Sequence, residues 1–158
     1  MNAFNKVTGL FLAMLIAAAL ISCQQSADDP QEAAEILTAS PKWKIDEIRV
    51  NDVVTFQDGK MTQQFGGIDF QRYMEIVEIR TDGTFSGVFK GESKPFLLEW
   101  KRNEKNIRVG LPGAKSAPSD WTITPADVQE KAFSMKTQST AYDYPNVTRI
   151  ALKFKAAK

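Results

Sequence analysis

Tyr73-Met74-Glu75-Ile76-Val77-Glu78-Ile79-Arg80-Thr81-Asp82-Gly83-Thr84-Phe85-Ser86-Gly87-Val88-Phe89-Lys90 contains two alternating apolar and polar runs around one turn, and its reading decides the fold. A two-residue Asp82-Gly83 turn sets Arg80 opposite Phe85. A three-residue Thr81-Asp82-Gly83 loop, with Gly83 in the left-handed region, instead pairs Ile79 with Phe85 and Val77 with Gly87. The apolar pattern selects the second, a type I turn closed by a G1 bulge. The same register carries Glu75 to Phe89 on the apolar face, either as an acid inside a cavity or, the preferred reading, as a strand end reaching water.

The two-residue period continues downstream. Phe96, Leu98 and Trp100 share one face of a strand, and Ile107, Val109 and Leu111 share the next. Trp121 and Ile123 form a short strand, Thr124-Pro125-Ala126-Asp127 a single helical turn, and Phe133, Met135 and Thr137 one face of another strand. The last run alternates Thr148, Ile150, Leu152 and Phe154 against Val147, Arg149, Ala151, Lys153 and Lys155.

Upstream, Trp43 and Ile45 share a face while Ile48 and Val50 fall on the other. One extra residue between Asp46 and Glu47 realigns both pairs, so a β-bulge is expected in the first strand. Asn51-Asp52 then turns into Val53 to Phe56. Gln57 to Phe70, with Asp58-Gly59 and Gly66-Gly67 as breakers, reads as a loop. Its glycine pair lacks the strand, helix and Lys-Ser/Thr of a phosphate-binding loop.

About eight short strands without a crossover helix predict a mostly β domain, an antiparallel up-and-down barrel that abolishes exposed edges. An open two-layer β-sandwich is the alternative. One short N-terminal helix precedes the strands, with Asp29 as N-cap, Pro30 at its first position, Glu32 placed for a capping box and Pro41 as its stop. Ile36 and Leu37 are its only large apolar residues, so it is expected as a lid or spacer rather than as part of the main core.

Residues 1–22 read as a signal peptide: Lys6 supplies a cation, Val7 to Ile21 is apolar apart from Thr8 and Gly9, and small Ser22 precedes Cys23. An apolar run of about fifteen residues is short for a transmembrane helix, which needs roughly 20. Residues 23–30 are expected as a polar tether and 31–158 as the barrel domain.

Totals of 20 Lys plus Arg and 19 Asp plus Glu, with one lysine and no acid before residue 23, leave a balanced charge after it. That gives no electrostatic reason to expect nucleic acid as a partner. The chain has one cysteine and no histidine. Intramolecular disulfides, cysteine metal clusters, His-ligated zinc and histidine-based triads are therefore excluded. The chain is expected not to be an enzyme and to carry no metal or cofactor. Glu75 and Glu78, three apart in a strand, point to opposite faces and make no close acid pair. Asp120 and Asp127 read as turn and cap residues, and Asn146-Val147-Thr148 as an accidental glycosylation pattern.

Leu20-Ile21-Ser22-Cys23 resembles a bacterial lipobox. With the short helix, Trp43 in Pro41-Lys42-Trp43-Lys44-Ile45, the Thr81-to-Phe85 hairpin, the Trp100 strand and Trp121-Thr122-Ile123, the chain resembles the small lipocalin-like lipoproteins of Bacteroidetes. A Pro41-Lys42 pair stands where true lipocalins carry the glycine of their Gly-x-Trp motif. The resemblance implies lipidation of Cys23, attachment to the membrane through acyl chains, and a meander barrel able to hold a small apolar molecule. Gln24, in place of the aspartate of inner-membrane retention, implies an outer-membrane lipoprotein. The Asp28-Asp29 pair is compatible with either leaflet face, periplasmic or surface-displayed.

Candidate ligand-contacting residues are Trp43, Trp100 and Trp121, which offer large apolar faces with an N–H handle and serve either as pocket lining or as core. Glu75 joins them, as do Tyr142 and Tyr144 of the Tyr142-Asp143-Tyr144-Pro145 loop, a composition suited to sugar or protein contacts. The expected function is a lipid-anchored envelope protein binding a small apolar or glycan ligand. The alternative is a filled barrel acting as an interaction subunit for an envelope protein partner.

Overall fold

The computed structural model describes residues 25–65 and 72–157. The lipobox, Cys23 and Gly66-Gly67 lie outside the described residues.

The expected barrel is present. Helix α1 (Pro30–Ala39) precedes β1 (Trp43–Val50), β2 (Val53–Gln57), β3 (Lys60–Met61), β4 (Met74–Ile79), β5 (Thr84–Phe89), β6 (Phe96–Arg102) and β7 (Ile107–Gly110). Then come β8 (Trp121–Ile123), a 3-10 turn (Pro125–Asp127), β9 (Val128–Gln129), β10 (Ala132–Asp143) and β11 (Asn146–Ala156). Eight antiparallel strands close in the order β1, β4, β5, β6, β7, β8, β10, β11 and back to β1. The β2–β3 hairpin branches from the far half of β1, and β9 from β10. Closure, rather than the alternative open sandwich, pairs the edge that β1 and β11 would otherwise expose.

The β1 bulge falls where the sequence places it. Ile45 pairs with Phe154 and Glu47 with Lys153, leaving Asp46 as the extra residue. Trp43, Ile45, Ile48 and Val50 consequently all point inward and are buried. The Asp46 carboxylate, turned outward, meets the Lys155 ammonium at 2.6 Å.

The β4–β5 hairpin also has the expected register, with Ile79 opposite Phe85 and Val77 opposite Gly87. Gly83 has φ 89°, a conformation that suits glycine, and the Arg80 amide donates to the Thr84 carbonyl at 2.9 Å. Beyond Ile76 the expectation fails. A second bulge makes Glu75 the extra residue and pairs Met74 with Phe89. The cause is desolvation: an ionised Glu75 on the apolar face would lose its hydration, whereas the bulge turns it out to Lys90 at 3.1 Å and buries Met74 in its place.

Gln57 to Phe70 is more ordered at its start than a loop. Asp58 and Gly59, with φ 50° and 79°, form a two-residue hairpin turn that returns Lys60–Met61 against Phe56 and Gln57. The tether expectation changes too, because Ser26 bridges Gln129 and buried Ala27 donates its amide to the Val128 carbonyl at 2.9 Å. The chain is thus already held against the barrel before the helix begins. At the helix start, Asp29 Oδ1 accepts from the amides of Gln31 and Glu32 as an N-cap. Glu32 reaches the Asp28 amide at 2.7 Å, one residue earlier than a capping box requires. Ala33 and Leu37 are buried in the core cluster, so α1, expected outside the main core, is a lid that forms part of it over one end of the barrel, because its small alanines let Leu37 reach the interior.

Hydrogen bonds from Thr84 hold the Asp82 carboxyl below its usual range. A folded value below the unfolded one, about 3.9, gives stability that is present above about pH 4 and is lost as pH falls through the folded value. Asp82→Asn keeps an acceptor but cannot titrate. It is expected to flatten part of the acid-side loss in urea midpoints while leaving neutral pH nearly unchanged, a small effect because the group is exposed.

Candidate functional site

The two ends of the barrel differ in what fills them. At the end covered by α1, Trp43, Phe133 and Phe154 are fully buried. Phe133 meets Trp43 edge to face with ring centroids 5.0 Å apart and stacks on Phe154 at the same separation. The Trp43 indole donates to the Leu37 carbonyl at 3.0 Å, tying the helix to the barrel. Phe85, Val77, Val109, Met135 and Leu152 carry the packing toward the middle of the barrel.

At the other end, where β4 begins, β5 ends and β6 begins, the apolar side chains are only partly covered. Tyr73, Phe89, Phe96 and Leu98 pack on the buried core without being enclosed by it. Phe96 lies 4.6 Å from Phe89 between centroids and 6.4 Å from Phe85, so it continues the buried stack outward. Gly87 makes that possible: a Cβ there would meet the Ile76 carbonyl oxygen, Phe96 Cζ at 3.0 Å and Val77 Cγ1 at 3.0 Å. Phe56 packs on Tyr73 at 4.8 Å, and the Arg72 guanidinium lies 3.8 Å from the Phe89 ring centre, itself paired with Glu92 at 2.8 Å. The result is an aromatic collar on a packed floor, with one cation laid across its rim.

The candidate residues from sequence are not brought into one place. Trp43 is core at the helix end. Trp100 is half-buried near α1 and donates its indole N–H to the Arg80 carbonyl at 2.7 Å. Trp121, at the first position of β8, is half-buried against the core beside Val109, whose neighbour on the other side is Trp100, and it is not brought to the rings of Phe89 and Phe96. Glu75 sits on its bulge with Lys90. Tyr142 and Tyr144 project from the tip of the β10–β11 hairpin, Tyr144 at 85% exposure.

Sequence reasoning missed Tyr73, Phe89 and Phe96 as site residues. A signal for the last two was present in the alternation of Phe85, Gly87 and Phe89 beside Phe96 and Leu98, where a glycine leaves room for a neighbouring ring. Among the described residues no group of three or more His, Cys, Asp or Glu is placed to hold a metal ion, and no helix is long and apolar enough to cross a membrane. No family model matches the chain, and no curated protein matches its sequence.

Proposed function

We propose that the chain is a lipid-anchored binding module of the cell envelope that takes a small apolar ligand at the collar end of its barrel. The observation that carries this reading is the asymmetry of the two ends. One is packed by α1 and by the buried rings of Trp43, Phe133 and Phe154, and the other offers partly covered Tyr73, Phe89 and Phe96. Covering such rings contributes about 25 cal/mol per Å2 of apolar surface removed from water.

The anchor fits the same polarity. Ser26 is pinned to Gln129 at the helix end, and Cys23 precedes it by three residues, a reach of at most about 11 Å. Acyl chains on Cys23 would therefore set the helix end toward the lipid and the collar away from it, open to whatever the envelope delivers. The resemblance to lipocalin-like lipoproteins supports an outer-membrane location.

A dansyl-labelled undecanoic acid tests the reading. Saturable, blue-shifted emission is expected, with Phe96→Ser and Phe89→Ser each weakening binding about tenfold and Trp43→Phe leaving affinity unchanged in protein that remains folded. Absence of saturation, or wild-type affinity in both serine variants, contradicts it.

The alternative, an interaction subunit, is favoured by one separate observation. Thr140 to Val147 at the β10–β11 tip are all exposed and include Tyr142, Tyr144 and Val147. Amphipathic tyrosines on such a projection suit contact with a partner envelope protein.

A further inference from the structure

Outside the barrel wall, β8, β10, β11 and β1 present a lattice of outward side chains that neither the collar nor the core uses. Lys136 stands opposite Thr122 on one side and Ala151 on the other, and Ala151 stands opposite Arg49. One step along, Gln138 faces Arg149. The small side chain of Ala151 leaves a depression between the longer ones, and Pro118 of the β7–β8 loop raises one wall. The cleft so formed has a volume of about 390 Å3, within the range of small-molecule sites.

The electrostatics of the cleft are balanced. Arg49 is paired with Glu47 at 2.6 Å, Arg149 with Asp52 at 2.7 Å, Lys136 with Asp127 at 2.7 Å and Arg108 with Asp120 at 3.0 Å. Every cation already has its acid, so the site lacks the excess positive charge that would select a phosphate or sulfate. What it offers is alternation: guanidinium and ammonium donors, Asp52 and Asp120 acceptors, and the Gln138 amide and Thr122 hydroxyl, which do both. A ligand whose groups each donate and accept meets that pattern, and the Ala151–Pro118 patch suits a C–H face beside them. The Arg49, Lys136 and Arg149 side chains are each about half exposed, so turning these cations toward a ligand costs little.

The geometry points to a saccharide site on the outer wall, for about one or two sugar rings, between Arg49, Lys136 and Arg149 with Ala151 as its floor. It is independent of the collar and lies on a different surface of the same barrel.

Amide spectra of the isotope-labelled full chain in a non-sugar detergent test this inference, with glucose, galactose, N-acetylglucosamine and glucuronate each raised to about 20 mM. At least one sugar is expected to shift the Lys136, Gln138 and Ala151 amides saturably. Ala151→Tyr, which fills the floor from the outer face, is expected to abolish the shift, and Arg149→Met to weaken it about tenfold, with the remaining amides unmoved in both. Three results overturn the proposal: no saturable shift from any of the four, a shift that survives both substitutions, or tighter saturation of the same amides by inorganic phosphate. None of these bears on the collar, which is read through Phe89 and Phe96.

Discussion

Trp43→Ala is expected to destabilise the folded chain by about 3–5 kcal/mol, the range for removing a fully buried large aromatic side chain. Three losses coincide at this position. The indole is fully buried, so its truncation leaves a cavity under α1. Its edge-to-face contact removes one side of the packing around Phe133, which is itself stacked on Phe154. Its N–H satisfies the Leu37 carbonyl, one of the helix C-terminal groups that has no partner within the helix. Against a total stability of about 5–15 kcal/mol for a typical domain, such a loss leaves the chain marginal or unfolded. Trp43→Phe separates the terms, because it keeps much of the ring volume and removes the hydrogen bond; about 1–2 kcal/mol is expected from that change. Urea midpoints at unchanged slope measure both. A loss below about 1 kcal/mol for Trp43→Ala would show that the helix end is not the packed end of the barrel.

Cys23→Ser is expected to have the largest effect on where the protein is found. The proposed lipoprotein anchor adds about 0.8 kcal/mol of membrane affinity for each buried CH2, and two or three acyl chains make that attachment stable. A serine at position 23 cannot take a thioether-linked lipid. The wild-type chain should fractionate with membranes at the mass of a lipidated Cys23 terminus. The variant should lose the acyl mass, and where its leader is removed it should appear in the soluble fraction. Equal membrane retention of a processed, unlipidated variant would contradict anchoring at Cys23. Barrel stability should change little on this substitution, since among the described residues the chain joins the barrel at Ser26, three positions after Cys23.

Much of the barrel was legible in the sequence because its signal is local. In the β4–β5 hairpin the apolar alternation and one glycine determine the turn, and in β1 two apolar pairs out of phase reveal a bulge without any knowledge of the partner strand. The second bulge shows where this logic stops. Pairs counted outward from the turn bring Glu75 to Phe89, and only the cost of burying the carboxylate, weighed against the neighbouring Met74, predicts the slip. Asp58-Gly59 carried a hairpin turn signal, but the strand it feeds is two residues long, too short for alternation to appear. Ser26 and Ala27 looked like tether because their partners, Gln129 and Val128, lie about a hundred residues away.

The candidate sites were less legible for the same reason. Tryptophan content drew attention to Trp43 and Trp100, yet an indole's role depends on which end of the barrel its row reaches, a property of closure and strand stagger. The collar gathers Tyr73, Phe89 and Phe96 from three separate segments. The outer cleft gathers one residue each from β1 and β8 and three each from β10 and β11. Neither set has a spacing that a linear reading can find.

Native mass spectra of the mature, lipidated chain purified from its own host, recorded before and after denaturation, test the binding-module proposal most directly. A stoichiometric small apolar molecule, present on the folded chain, lost on unfolding and absent from Phe96→Ser protein prepared in the same way, is the expected result. A folded chain that carries its acyl groups and nothing else would contradict it and turn the search to protein contacts at Tyr142 and Tyr144.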